Sequence, residues 1–290
     1  MRPVQFVTDS SSDLPVELTR ELDMHIIPLT YIINGEAKQD DLWVHTQPAD
    51  FYNQMRSGAS CSTSQVTVND FVQHFTSIVE SGKDVLYLCF SSALSGTYNA
   101  AVLASKNVAA AHPEARIKIV DTRSASLGEG LLAYETALKV REGGSLGEVY
   151  DWAEENKLLV NHWFTVGDLE YLRRGGRISH FTSTVGSLLQ VKPILRVDDE
   201  GRLVSYSKAR GRKRSIDELA KHCISRIDPN RNNIIAISHG DCEADALELQ
   251  AAIKKEVPVA KSIIRATGPV IGSHSGPETL ALFFWGGGRD

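Results

Sequence analysis

The chain has 290 residues, 42% of them hydrophobic and 23% charged, with 22 glycines, 10 prolines, four cysteines and a formal net charge of −5. These proportions exclude a disordered or collagen-like chain and a disulfide framework, and the acidic balance argues against broad nucleic-acid binding, which needs a dense Lys/Arg face. No apolar run approaches the ~18 residues of a membrane span, and Met1–Phe6 lacks the apolar core of a secretion signal, so the expected compartment is the cytoplasm.

Val4–Thr8 reads as a strand and Asp9–Asp13 as a polar turn. Pro15 suits a first helical turn, and Leu14, Leu18 and Leu22 form one apolar stripe at four-residue spacing. Ile26–Ile33 is rich in β-formers and runs into Asn34-Gly35, a turn signal. A polar stretch over 36–47 follows. Helices over 48–56 and 69–80 flank Gly58–Thr67, whose small polar residues predict a loop. Val85–Phe90 reads as a buried strand and Ser91–Gly96 as a turn. An Ala-rich helix then runs to Ala111, where Pro113 prevents its continuation. A strand over 117–120 and a helix over 129–141 complete a βαβα order that implies a parallel sheet.

The second half has a different rhythm. A helix over 146–158 leads to a strand over 161–165. A short helix holding Leu169 and Leu172 ends at Gly175-Gly176. Strands over 193–197 and 202–207 flank the hairpin signal Asp198–Gly201. Helix 212–227, strand 234–238, helix 243–256, strand 259–265 and the apolar run Leu280–Trp285 follow. The pattern predicts an α/β protein of two parts. Residues 1–159 form a doubly wound, mainly parallel sheet. Residues 160–290 form an α+β domain with a mixed sheet. A cleft between abutting domains is a favoured ligand site.

The four cysteines form no CxxC pair and read as reduced thiols, and the nine histidines show no metal-ligand spacing. Gly128, Gly130 and Ala133 match a dinucleotide fingerprint, with Glu148 twenty residues on. Thr122–Leu127 separate these glycines from the preceding strand, so the segment reads instead as a glycine-containing helix entry. There is no phosphate-binding loop and no nucleophile elbow. The dense cluster Lys208–Arg214 is either a solvated helix start or a docking patch for an acidic partner. Two hydroxyl-rich segments, Ser60–Gln65 and Ser91–Thr97, each precede a predicted helix. They read first as ordinary helix caps, because capping is so common, and secondly as a neutral cage for a carboxylate or phosphate at a helix N-terminus. Arg177 and His274 lie among glycines that permit close backbone approach to a ligand.

In chain order, Val7–Pro15, Thr63-Ser64-Gln65, Ser91–Tyr98, Val120–Leu132, Leu169–Ile178, Val191–Leu195 and Gly268–Pro277 resemble the DegV family of bacterial fatty-acid-binding proteins. The resemblance spans almost the whole chain. It implies one long-chain fatty acid in a buried tunnel, its carboxylate held by Thr63 and Ser95, with His274 and Arg177 at the family's His and Arg positions. The expected ligand-binding set is Thr63, Ser64, Ser95, Gly96, Arg177, His274 and Gly276. The resemblance further implies a carrier without its own catalytic, cofactor or metal site. Such a carrier presents its acid to an ATP-dependent fatty acid kinase, which makes acyl phosphate for phospholipid synthesis, with an acyltransferase and transient membrane contact as further partners. Arg210, Arg212, Lys213 and Arg214 are the expected docking residues. The chain departs from the family pattern at Val66, where proline is usual, and at Glu278, whose carboxylate would repel the head group if it pointed inward. The competing readings are a small-molecule phosphotransferase-like enzyme, by fold analogy alone, and a regulatory docking module.

Overall fold

The computed structural model describes residues 2–178, 191–231 and 233–289. The first half contains β1 (Val4–Asp9), α1 (Val16–Glu21), β2 (His25–Ile27), β3 (Thr30–Ile33), β4 (Glu36–Gln39), α2 (Pro48–Arg56), β5 (Cys61–Ser64), α3 (Val68–Glu80), β6 (Asp84–Cys89), α4 (Thr97–Ala111), β7 (Ile117–Asp121), α5 (Leu127–Arg141) and α6 (Leu146–Asn156). The second half contains β8 (Val160–Thr165), α7 (Glu170–Arg174), β9 (Val191–Val197), β10 (Leu203–Arg210), α8 (Arg212–Arg226), β11 (Ile234–His239), α9 (Glu243–Lys254), β12 (Lys261–Ala266), α10 (Pro269–Ser275) and β13 (Leu280–Trp285).

The first half carries a parallel sheet in the order β2-β1-β6-β7. β6 is buried at every residue, as a central strand covered on both faces must be. The second half carries a six-stranded sheet in the order β10-β9-β8-β13-β11-β12, antiparallel except for the β11–β12 pair. Both sheets match the α/β reading of the sequence.

Three elements depart from it. The polar stretch after Asn34-Gly35 contains β4, and the segment expected as a loop over Gly58–Thr67 contains β5; both pair antiparallel with β3. Asn34 and Gly35 have φ of 50° and 84°, the left-handed pair that a tight hairpin demands. β4 is exposed throughout, so it has no apolar alternation to read, while β5 is made of Cys, Ser and Thr. α10 was also unanticipated. It is seven residues long, begins with Pro269 and buries small residues on several sides, which leaves no amphipathic period.

One apolar cluster joins the two halves. It includes Phe6, Leu88, Leu131 and Leu132 from the first and Phe164, Leu195, Ala236 and Phe283 from the second. α5 lies between the sheets, touching β1 and β6 on one side and β8, β11 and β13 on the other. Its first seven residues, Leu127–Ala133, are all buried. This placement accounts for the fingerprint-like glycines. A Cβ on Gly128 would sit 2.1 Å from the His162 ring, and one on Gly130 would sit 2.6 Å from the Ser12 carbonyl oxygen. Glu148 closes the capping box of α6 with Ser145. All three residues have packing or capping roles.

Candidate functional site

A cavity of about 400 Å³ lies between the halves, within the ~300–1,000 Å³ range of small-molecule sites. Its walls are mostly apolar and come from both parts of the chain: Leu29, Phe90 and Leu94 from the first, Phe164, Leu203, Val270 and Phe283 from the second. Thr63, Ser95, Arg177 and His274 are among the polar residues on its wall. A smaller cavity of about 320 Å³, bordered by Ser60, Ser62, Tyr171 and Arg174, shares Thr63, Arg177 and His274 with the first. Ser60, Ser62 and Arg174 are solvent-exposed, and Thr63, Arg177 and His274 border both cavities.

Each polar residue is set by its element. Thr63 lies on β5 opposite Tyr31 of β3, and its Oγ1 is 2.7 Å from Nε2 of His274. Thr63 therefore does not cap a helix; α3 is capped by Thr67 and Asp70 instead. Its place on an edge strand brings it against α10. His274 occupies the last turn of α10, with Gly175 packed on its Nδ1 face, where a Cβ would come within 2.3 Å. Burial, reinforced by the charge of Arg177, lowers the His274 pKa to about 4, so the ring is neutral at neutral pH.

Ser95 precedes α4, where its Oγ accepts from the Thr97 N–H at 3.2 Å and lies 2.9 Å from the Thr97 hydroxyl. Gly96 is the N-cap of α4 and borders the cavity; a Cβ there would sit 1.9 Å from Oε1 of Gln65. Arg177 donates from Nε to the Leu94 carbonyl at 3.1 Å and from a terminal nitrogen to the Gly175 carbonyl. These bonds tie the loop before α4 to the loop after α7. They use two of the five guanidinium N–H donors.

Six of the seven expected ligand-binding residues, Thr63, Ser64, Ser95, Gly96, Arg177 and His274, thus share one cavity wall. Gly276 does not. It packs on the Tyr171 ring, where a Cβ would come within 2.3 Å, and its φ of 79° ends α10. Its role is to let the chain turn between α10 and β13. Glu278 is also off the wall: it is exposed, 3.7 Å from Lys192, and does not face the polar cluster.

Sequence reasoning missed several wall residues, among them Ser126, His162, Ser238 and Thr267. It also missed what holds α10 in place. Asp13, wholly buried at φ 53°, accepts from the Gly268 N–H at 2.9 Å at the start of α10 and from the Ser126 hydroxyl. Burial raises the Asp13 pKa to about 7 and also raises those of Asp9, Asp40 and Glu129. Only the Ser-rich composition of residues 10–12 hinted at this network.

The expected docking cluster is divided by its partners. Arg212 pairs with Asp245 at 2.8 Å, and Lys213 with Asp217 at 2.7 Å and Glu248 at 2.9 Å. Arg210 and Arg214 are exposed. Among the described residues, no group of three or more His, Cys, Asp or Glu is placed to hold a metal ion, and no helix is long and apolar enough to cross a membrane.

Residues 3–286 match the model of the DegV family, described as "Uncharacterised protein, DegV family". A DegV domain-containing protein of Clostridium perfringens is 44% identical over 287 residues, 99% of this chain and 98% of that protein. A solved structure from Thermotoga maritima, described as a DegV lipid-binding protein, superposes with a TM-score of 0.84 at 31% identity, covering 99% of this chain and 100% of the other. Another, described as fatty acid binding of a DegV family protein from Thermus thermophilus, has a TM-score of 0.87 at 32% identity with the same coverage. On the match along nearly its whole length, this chain belongs to the DegV family.

Proposed function

We propose that this chain binds one long-chain fatty acid in the 400 Å³ cavity, with the carboxylate at the wall formed by Thr63, Ser95, Arg177 and His274. The observation that carries this reading is the Thr63–His274 hydrogen bond on the wall of a cavity whose surface is mostly apolar. Removing about fifteen methylenes from water contributes roughly 12 kcal/mol before the costs of association and chain ordering. The carboxylate is the harder part, because a buried charge without partners is strongly disfavoured. A carboxylate only accepts, so it favours the arrangement in which His274 Nε2–H donates to Thr63 Oγ1 and frees the Thr63 hydroxyl hydrogen for the ligand. The Ser95 hydroxyl and the remaining N–H donors of Arg177 complete the set.

In this reading residues 1–159 supply the hydroxyl-bearing elements, and residues 160–290 cover the acyl chain and add Arg177 and His274. Ser64 and Gly96 line the head-group end. The chain is a carrier and not a catalyst. We infer that the carboxylate is presented to a partner, an ATP-dependent fatty acid kinase forming acyl phosphate for phospholipid synthesis, from the side of the second cavity, where Ser60, Ser62 and Arg174 are exposed. Mass spectrometry on the organic extract of purified protein tests the binding step. A stoichiometric long-chain acid is expected; no acyl chain in the extract and no uptake of added palmitate or oleate would sink the reading.

A further inference from the structure

The second cavity, of about 320 Å³, shares Thr63, Arg177 and His274 with the first. Two arginines border it, Arg174 and Arg177, and among the described residues no acidic side chain does. Arg174 is exposed and stacks over the Tyr171 ring at 4.9 Å. The carboxylate nearest to it, that of Glu170, is committed elsewhere: two bonds of 2.6 Å join it to Arg173, while Arg174 is 3.8 Å away. Arg174 therefore keeps donors for another anion.

The fold adds backbone donors. β5 is an edge strand of the sheet β4-β3-β5. The Asn34 N–H donates to the Ser60 carbonyl at 3.0 Å, and hydrogen-bonded pairs alternate along an antiparallel ladder. Ser62 and Ser64, opposite Ile32 and Thr30, are therefore the residues of β5 bonded to β3. The N–H and C=O groups of Cys61 and Thr63 point the other way, to the free edge, and both residues border the second cavity. Burial raises the Cys61 thiol pKa and the charge of Arg174 opposes that rise, so the guanidinium acts on this same edge.

We propose that the second cavity is a phosphoryl-binding site, in which Arg174 and the Thr63 N–H hold a phosphate group joined to the carboxylate of the bound acid. This inference rests on the fatty-acid reading above and assigns a second subsite to it. A group attached to a carboxylate at Thr63, Arg177 and His274 has the second cavity beside it, because those residues border both cavities. A phosphate group carries about two negative charges and oxygens that accept. Guanidinium and backbone N–H donors match it, and the absence of a bordering carboxylate among the described residues leaves nothing to repel it.

The test measures binding of three ligands to the delipidated full chain: palmitate, the β-keto phosphonate analogue of palmitoyl phosphate, and the methyl ketone that lacks the phosphonate. The phosphonate is expected to bind about tenfold tighter than the ketone or better, and Arg174→Gln to remove most of that advantage while palmitate affinity is unchanged. Arg141→Gln, the same charge change at the end of α5, is expected to alter neither. In ¹⁵N NMR of the wild-type chain the Thr63 amide should move downfield with the phosphonate and not with the ketone. The inference is overturned if the phosphonate gains nothing over the ketone, if the gain survives Arg174→Gln, if Arg141→Gln removes it equally, or if the Thr63 amide does not respond. Inorganic phosphate, titrated alone, separates the two sources of the group: binding of phosphate that Arg174→Gln abolishes, with no gain for the phosphonate, marks a site for the free anion and overturns the inference. Palmitate binding without a phosphonate advantage overturns this inference alone; failure of all three long-chain ligands to bind overturns the fatty-acid reading as well.

Discussion

Oγ1 of Thr63 lies 2.7 Å from Nε2 of His274, joining an edge strand to the last turn of a helix 211 positions later in the chain. Both residues line the cavity.

Removing the hydroxyl donors should weaken acid binding without unfolding the protein. Thr63→Val keeps the shape of the side chain and should lower fatty-acid affinity by about tenfold or more, the range for hydrogen bonds to a charged group. Thr63→Ala with Ser95→Ala should lower it further. The matching fatty alcohol should be little affected by either change. Calorimetric titration of both ligands checks this, and equal losses for acid and alcohol would place the carboxylate elsewhere. Glu278→Gln should leave affinity unchanged, because Glu278 faces Lys192 outside the cavity.

Two glycine substitutions separate positioning from stability. Gly175→Ala directs a methyl group to within 2.3 Å of His274 Nδ1 and should reduce loading by displacing the ring. Gly147→Ala meets nothing within 4 Å on α6 and should raise stability by about 0.5–1 kcal/mol through the better helix propensity of alanine. Thermal melts and loading assays on the pair check both outcomes.

The buried Asp13 should give stability a distinctive pH dependence. Its pKa rises from an ordinary 3.8 to about 7 on folding, so between those values the native state keeps a proton that the unfolded chain has lost. This contribution is complete below about 4 and is lost as pH rises through about 7. His274 acts oppositely: its lowered pKa costs stability as pH falls from 6.5 toward 4. Asp13→Asn should therefore shift the stability profile in favour of higher pH. Urea midpoints across this window check it, and an unchanged slope would mean Asp13 is not the titrating group.

The basic cluster should behave as two pairs. Charge reversal at Arg210 and Arg214 should weaken kinase-dependent acyl-phosphate formation while leaving lipid loading intact. Reversal at Arg212 should instead lower stability, because its guanidinium sits 2.8 Å from Asp245 of α9 and would be replaced by a like charge. Coupled turnover assays beside thermal melts distinguish the pairs.

Much of the fold was legible because its signals are local. The apolar run of β6 and the alternation of strands and helices act over a few residues, within the reach of one element. Together with the order of the family segments, they determined the α/β class and the parallel and mixed sheets. β4, β5 and α10 escaped because polar edge strands and a short, small-residue helix carry no hydrophobic period.

The site divides in the same way. The family resemblance picked out Thr63, Ser95, Arg177 and His274, but not what each one touches. Only the tertiary structure brought β5 against α10, moved Gly276 and Glu278 off the cavity wall, set Asp13 under α10 and placed acidic residues of α9 beside Arg212 and Lys213. Each of these contacts joins residues from different elements. Sheet order, burial and side-chain reach decide them, and none leaves a mark in the spacing of neighbouring residues.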